Sequence, residues 1–171
     1  MSESSLAQPT SSPILRALVP AAGQGVRLLP ATRAQAKEML PLGATPIIQL
    51  VAEELLLAGV HSVLIVTGRG KESIENHFDG TPPTDDTSAP ERSVFDRHTM
   101  QFFYTRQSSP RGLGDAILHG QGFAGDQDFV VALGDCAFIG DSRPSLLERM
   151  IRLHREQRAS ATVAVQQVTP E

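Results

Sequence analysis

A single cysteine, Cys136, stands in the whole chain, so no intrachain disulfide can form. That fits a reducing compartment, where thiols persist. Basic residues are also few: 15 Lys and Arg against 19 Asp and Glu, a formal net charge of -4. A mildly acidic chain without a basic stripe gives no nucleic-acid partner. Any anion it binds has to be held locally, not by the field of the whole molecule. No apolar run is long enough to cross a bilayer, so no membrane partner is expected either. Residues 1–13 are Ser-rich and have no apolar stretch. That excludes a secretory signal there and predicts a disordered leader, with the cytoplasm as the expected location. His61, His77, His98, His119 and His154 show no metal-ligand spacing, and no internal repeat is visible.

What remains is an ordinary globular composition. In 171 residues, 40% are hydrophobic and 20% charged, enough for one domain with a real core. Ile14 to Val19 reads as a buried strand followed by glycines. Thr45-Pro46 reads as a cap and first-turn proline of a helix whose inner face is Ile47, Ile48, Val51, Ala52, Leu55 and Leu56. Gly59 is its expected stop. Ser62 to Thr67 is a second strand, followed by a short helix from about Lys71 to Phe78. Residues 79–99 carry a Pro-Pro pair and read as a mobile loop. Met100 to Thr105 is a third strand, Gly112 to Gly120 a glycine turn and helix, and Asp128 to Leu133 a fourth strand. Ser142 and Pro144 resemble a cap and first turn of a helix whose inner face is Leu146, Leu147, Met150, Ile151 and His154. Ala161 to Val168 is a fifth strand. Strands alternating with helices predict a three-layer, Rossmann-like α/β fold with a mostly parallel sheet. Ligands of such sheets bind beyond the carboxyl ends of the strands. The loop after Val19, the turn after Thr67 and Asp135 all fall there.

The loop after the first strand carries the strongest chemistry. Gly23 and Gly25 clear side chains from a turn whose N–H groups can face anionic oxygens. A lone G-x-G also occurs in ordinary turns. The dinucleotide fingerprint fails because Leu28 stands where a third glycine belongs, and the chain has no Gly-Lys-Ser/Thr of a P-loop. Arg27 and Lys37 add a guanidinium fork and a compact ammonium, both suited to phosphate. Taken alone, Arg27 also reads as a solvated surface cation. The Arg69–Lys71 pair could assist but reads better as a solvated turn, and Asp85-Asp86 as surface charge. Cys136 reads as a buried small side chain, since a nucleophilic thiol would need an activating base.

The run "PAAGQGVRLLPATRAQAKEMLP" resembles the signature of the sugar-1-phosphate nucleotidylyltransferases, most closely the bacterial UTP–glucose-1-phosphate uridylyltransferase branch. "VTGRGKESIENHFD", "YTRQSSPRGLGDAIL" and "VVALGD" resemble later segments of that branch, in the same order. The resemblance implies transfer of a uridylyl group from UTP to glucose 1-phosphate, with magnesium as cofactor. It implies that Arg27 grips the outer phosphates, that Lys37 neutralises charge at the α-phosphate, and that Ala22, Gly23 and Gly25 line the nucleotide. It further implies that Gln107 and Gly112 meet the base, and that Asp135 ligates the metal. Gln107 also fits an ordinary loop amide, Gly112 a helix-start glycine, and Asp135 a cap.

Two departures stand out. Val26 replaces the family's usual threonine or serine, removing a hydroxyl worth about 0.5–1.5 kcal/mol. The chain ends just after the fifth strand, where family members continue into a half that supplies the sugar-binding glutamate, the phosphate-binding lysine and a second metal aspartate. That half is expected to be absent and activity to be impaired. An unpaired sheet edge would invite a homo-oligomer. Two alternatives therefore stand beside the uridylyltransferase reading. One is a non-catalytic nucleotide-binding module. The other is a thymidylyl- or cytidylyltransferase acting on another sugar 1-phosphate.

Overall fold

The computed structural model describes residues 14–79, 100–138 and 144–169. The expected leader over 1–13 lies outside them, as do Asp85, Asp86, His98 and Ser142, and so does the expected loop over 79–99 apart from Asp79. The strands are β1 (Arg16–Pro20), β2 (Pro41–Leu42), β3 (Thr45–Pro46), β4 (Ser62–Thr67), β5 (Gln101–Arg106) and β6 (Val130–Val131). The helices are α1 (Ile47–Leu57), α2 (Glu72–Asp79), α3 (Leu113–Leu118), α4 (Gln121–Ala124) and α5 (Leu146–Gln157). Among the described residues, β5, β4, β1 and β6 lie side by side in that order, and every pairing is parallel. The register sets Leu18 against Leu64 and Leu64 against Phe103.

Parallel strands must be covered on both faces, and the side-chain alternation divides the core accordingly. Ala17, Val19, Val63 and Ile65 pack with Ile48, Val51, Ala52 and Leu55 of α1 and Ile74 of α2. Leu18, Leu64 and Val66 face the other way, onto Ala116 and Ile117 of α3 and Phe123 of α4. The mostly parallel sheet between two helical layers is the architecture expected from the sequence.

Helix ends show which local signals carried. Gly59, at φ 84°, closes α1 as expected. Its N–H bonds Leu56 O at 3.0 Å, and the Val60 N–H bonds Leu55 O at 3.0 Å, satisfying carbonyls the helix leaves open. The start of α1 differs from expectation. Thr45 does not cap it: Pro46 takes the cap position without a side-chain bond, and Thr45-Pro46 pairs antiparallel with Pro41–Leu42 across a turn at Gly43, φ 66°. α5 is capped not at Ser142 but at Ser145, which accepts from the Glu148 N–H while the Glu148 carboxylate accepts from the Ser145 N–H.

Two strand expectations need correction. β6 covers only Val130–Val131 of the expected Asp128 to Leu133. Residues 161–168 form no ladder; Val163, Val165 and Val168 are 76%, 88% and 76% exposed. β-Branched composition favours extended backbone, but a strand also requires a neighbour for its N–H and C=O groups. No described helix is long and apolar enough to cross a membrane.

Candidate functional site

β1 ends at Pro20, and the chain enters the glycine loop along the carboxyl edge of the sheet. Ala21 N–H bonds Val66 O at 2.9 Å, tying the loop to the end of β4. Gly25 takes φ 68°, and Thr32 Oγ1 donates to its carbonyl at 2.7 Å. A Cβ on Gly25 would lie 3.2 Å from both Lys37 Cβ and Thr32 Cγ2. One on Gly23 would lie 3.3 Å from Lys37 Cε. The Lys37 stem therefore runs directly beneath the two glycines, and their missing side chains are what admit it.

The ends of β4 and β6 come to the same place. A Cβ on Gly68 would stand 2.8 Å from Ala22 O, so the turn after β4 touches the glycine loop backbone to backbone. Gly134 follows β6 and bonds Pro20 O at 3.4 Å, and a Cβ there would meet Glu38 Cγ and Val19 Cγ1 at 3.3 Å. The next residue, Asp135, takes a hydrogen bond from Lys37 Nζ through Oδ2. Gly68→Ala tests this close approach. Because the obstructing atom is backbone, overpacking is expected to cost about 1–3 kcal/mol of stability, read by urea unfolding. A loss below about 0.5 kcal/mol would mean the two loops part freely.

Beneath Lys37 lies Glu38, with 0% of its side chain exposed. Its Oε2 accepts from Lys71 Nζ at 2.6 Å, and Lys71 is itself buried. Its Oε1 lies 3.3 Å from Lys37 Nζ, close enough for an ion pair but without the alignment of a hydrogen bond. Lys71, Glu38, Lys37 and Asp135 thus form one run of alternating charge from the interior to the surface. The Asp135 side chain is 39% exposed and Lys37 17%.

The structure brings Gly23, Gly25, Lys37 and Asp135 together as the sequence suggested, with Ala22 beside the turn after β4. Arg27 lies in a short 3-10 turn, Val26–Leu28, two residues beyond Gly25; it is exposed and forms no ion pair with a described residue. Gln107 follows β5, and its N–H bonds Thr67 O at 2.9 Å. Its amide nitrogen donates to Asp115 Oδ2 at 2.6 Å and to Gly112 O at 3.3 Å, so Gln107 and Gly112 are neighbours. Gly112 has φ 99°, a conformation that L side chains rarely adopt.

Two expectations are overturned. Lys71 is not on a solvated turn: it lies about one helical turn before buried Ile74, on the inward face, and Glu38 compensates its charge. Cys136 is exposed, not buried. Sequence reasoning passed over Glu38, Thr32, Gly68 and Gly134. The spacing of Lys71 to Ile74 was a usable signal for Lys71, and it implies a buried carboxylate partner; nothing local marks Thr32. No group of three or more His, Cys, Asp or Glu able to hold a metal occurs among the described residues.

Residues 16–171 match the nucleotidyl transferase family. The chain is 43% identical over 165 residues to a UTP–glucose-1-phosphate uridylyltransferase of Pseudomonas aeruginosa, covering 92% of this chain and 59% of that protein. It is 40% identical to one of Streptococcus pneumoniae, covering 92% and 55%. A UDP-glucose pyrophosphorylase complexed with UDP-glucose superposes with TM-score 0.75 at 40% identity, covering 85% of this chain and 55% of the other. A UTP-bound enzyme from Acinetobacter baumannii superposes with TM-score 0.74 at 32% identity, covering 85% and 54%. The chain thus spans little more than half the length of the relatives it matches.

Proposed function

Since the chain belongs to the nucleotidyl transferase family, we propose that it binds UTP at the glycine loop and transfers the uridylyl group to glucose 1-phosphate, giving UDP-glucose and pyrophosphate. The observation that carries this reading is the Lys37 ammonium, threaded under Gly23 and Gly25 and paired with Asp135 at the sheet edge. Relatives named for UTP and glucose 1-phosphate supply the substrates.

The reaction is an in-line displacement. An oxygen of the sugar phosphate bonds the α-phosphorus, and the bond to the β-phosphate bridging oxygen breaks with its electron pair leaving on pyrophosphate. The protein contributes position and charge. Lys37 faces the charge developing at the α-phosphate. Arg27, exposed beside the loop, holds the outer phosphates through its planar fork. Ala22 and Gly23 offer main chain to the nucleoside. The Gln107 amide nitrogen is already committed to Asp115 and Gly112, which leaves its oxygen to accept the uracil N–H. Asp135 would hold magnesium. One exposed carboxylate suits an ion that keeps several waters and takes its remaining ligands from phosphate oxygens. Bound there, the ion would neutralise the phosphates as a Lewis acid. An exposed thiol and no disulfide accord with a cytoplasmic setting.

Pyrophosphate release from UTP, glucose 1-phosphate and magnesium tests the proposal. Turnover supports it. UTP binding without turnover makes the chain a nucleotide-binding module, and stronger binding of dTTP or CTP would reassign the base. Arg27→Ala is expected to weaken UTP binding about tenfold to a hundredfold while leaving uridine unaffected. Equal loss for both would remove Arg27 from the phosphates. Asp135→Asn is expected to abolish the magnesium dependence of UTP affinity, measured calorimetrically; an unchanged dependence would take the metal elsewhere.

A further inference from the structure

The buried charge beneath the site asks for an explanation that stability does not give. An ion pair as enclosed as Glu38–Lys71 is commonly no more stabilising than two apolar side chains of the same volume. Its geometry suggests another use. One carboxylate oxygen is held by Lys71 at 2.6 Å. The Glu38 methylene is confined by Gly134, where even a Cβ would come within 3.3 Å. The carboxylate is therefore fixed in direction, and the oxygen left over points at Lys37 Nζ, 3.3 Å away, with no aligned donor of its own.

We infer that Glu38, clamped by Lys71, is the residue that positions Lys37 under the glycine loop. Lys37 has two carboxylates in reach, and they differ in kind. Asp135 is 39% exposed and belongs to a turn, so it can exchange partners for a ligand. Glu38 is enclosed and cannot. When Asp135 turns to another cation, Glu38 keeps the ammonium aimed at the space over Gly23. A lysine carries considerable rotamer freedom, and fixing it beforehand removes an ordering cost that triphosphate binding would otherwise bear. Lys71 acts at one remove. It touches no substrate, and its ammonium, 2.6 Å from Oε2, keeps the Glu38 carboxylate pointed. The three residues also stitch the loops after β1 and β4 into one floor, since Lys37 and Glu38 belong to the first and Lys71 to the second. The role rests on the triphosphate-site reading above, but its physical core, Glu38 holding Lys37, does not need a ligand to be tested.

The variant Glu38→Met/Lys71→Met removes the pair without stranding either charge, so its fold should survive, as circular dichroism and a melting temperature within a few degrees of the parent would show. In the first arm, acylation of Lys37 is followed by mass spectrometry in an Asp135→Asn background, where Glu38 is the remaining carboxylate. Adding the double substitution there should raise the Lys37 rate about fivefold, the size of a modest ion pair released. Equal rates overturn the inference. In the second arm, calorimetry with UTP and uridine compares the parent with Glu38→Met/Lys71→Met. UTP affinity should fall about tenfold and uridine affinity stay put, and in a Lys37→Ala background the double substitution should change UTP affinity by less than about twofold. Parallel losses for UTP and uridine, or an undiminished loss without Lys37, would show a merely structural pair. If the parent itself fails to bind UTP, the functional proposal falls and the acylation rates alone judge Glu38.

Discussion

Replacing Lys71 alone by methionine should lower the unfolding free energy by about 3 kcal/mol. The substitution keeps an unbranched side chain, one atom shorter, and removes the ammonium with its charge and its donors. It leaves the Glu38 carboxylate fully enclosed and without its 2.6 Å partner. Breaking a buried pair on one side commonly costs about 3–5 kcal/mol. The lower end applies because Lys37, at 3.3 Å from the other oxygen, still compensates part of the charge. Urea unfolding gives the number directly, and for a domain of this size the melting temperature should drop by about 6–12 °C. The double variant with Glu38→Met should recover most of it. A single-variant loss below about 1 kcal/mol would mean that water reaches Glu38.

Leu55→Ala should cost about 2–5 kcal/mol, for a different reason. Leu55 is 0% exposed on the inner face of α1, among Val51, Ala52, Val63 and Ile65. Truncation removes its transfer free energy and leaves a cavity that a parallel sheet packed on both faces cannot readily close. The site is built on the far ends of the strands, so the folded fraction should retain its UTP affinity. Loss of affinity in step with stability would tie the glycine loop to this part of the core more tightly than the contacts indicate.

The parts of the fold legible in the sequence were those written in local chemistry. Ser62–Thr67 is a buried run of β-formers and became β4 residue for residue; Gly59 had no competing role and closes α1. Features that depend on a distant neighbour were not legible. Ala161 to Val168 has the composition of a strand and no strand to pair with among the described residues. Thr45-Pro46 has a helix-start pattern but sits opposite Pro41–Leu42 across a tight turn. The candidate site divides the same way. Glycines followed by cations at a strand end point to phosphate, and Gly23, Gly25 and Lys37 lie together. That Lys71 and Glu38 would meet, from positions 33 residues apart, follows only once β1 and β4 are neighbours. Charge counting assigns Lys71 to solvent; the inward register of the helix it precedes assigns it to the interior.

The central claim is that a nucleoside triphosphate rests on the bend after β1 with Lys37 beneath it. Backbone amide spectra of the 15N-labelled protein, recorded during titration with magnesium and UTP, address it most directly. The account predicts saturable shifts at Ala22, Gly23, Gly25, Gly68 and Gln107, lost in Lys37→Ala. Shifts confined to the groove lined by Phe129, Phe138, Met150 and Ile151, with the glycine loop unmoved, would contradict it.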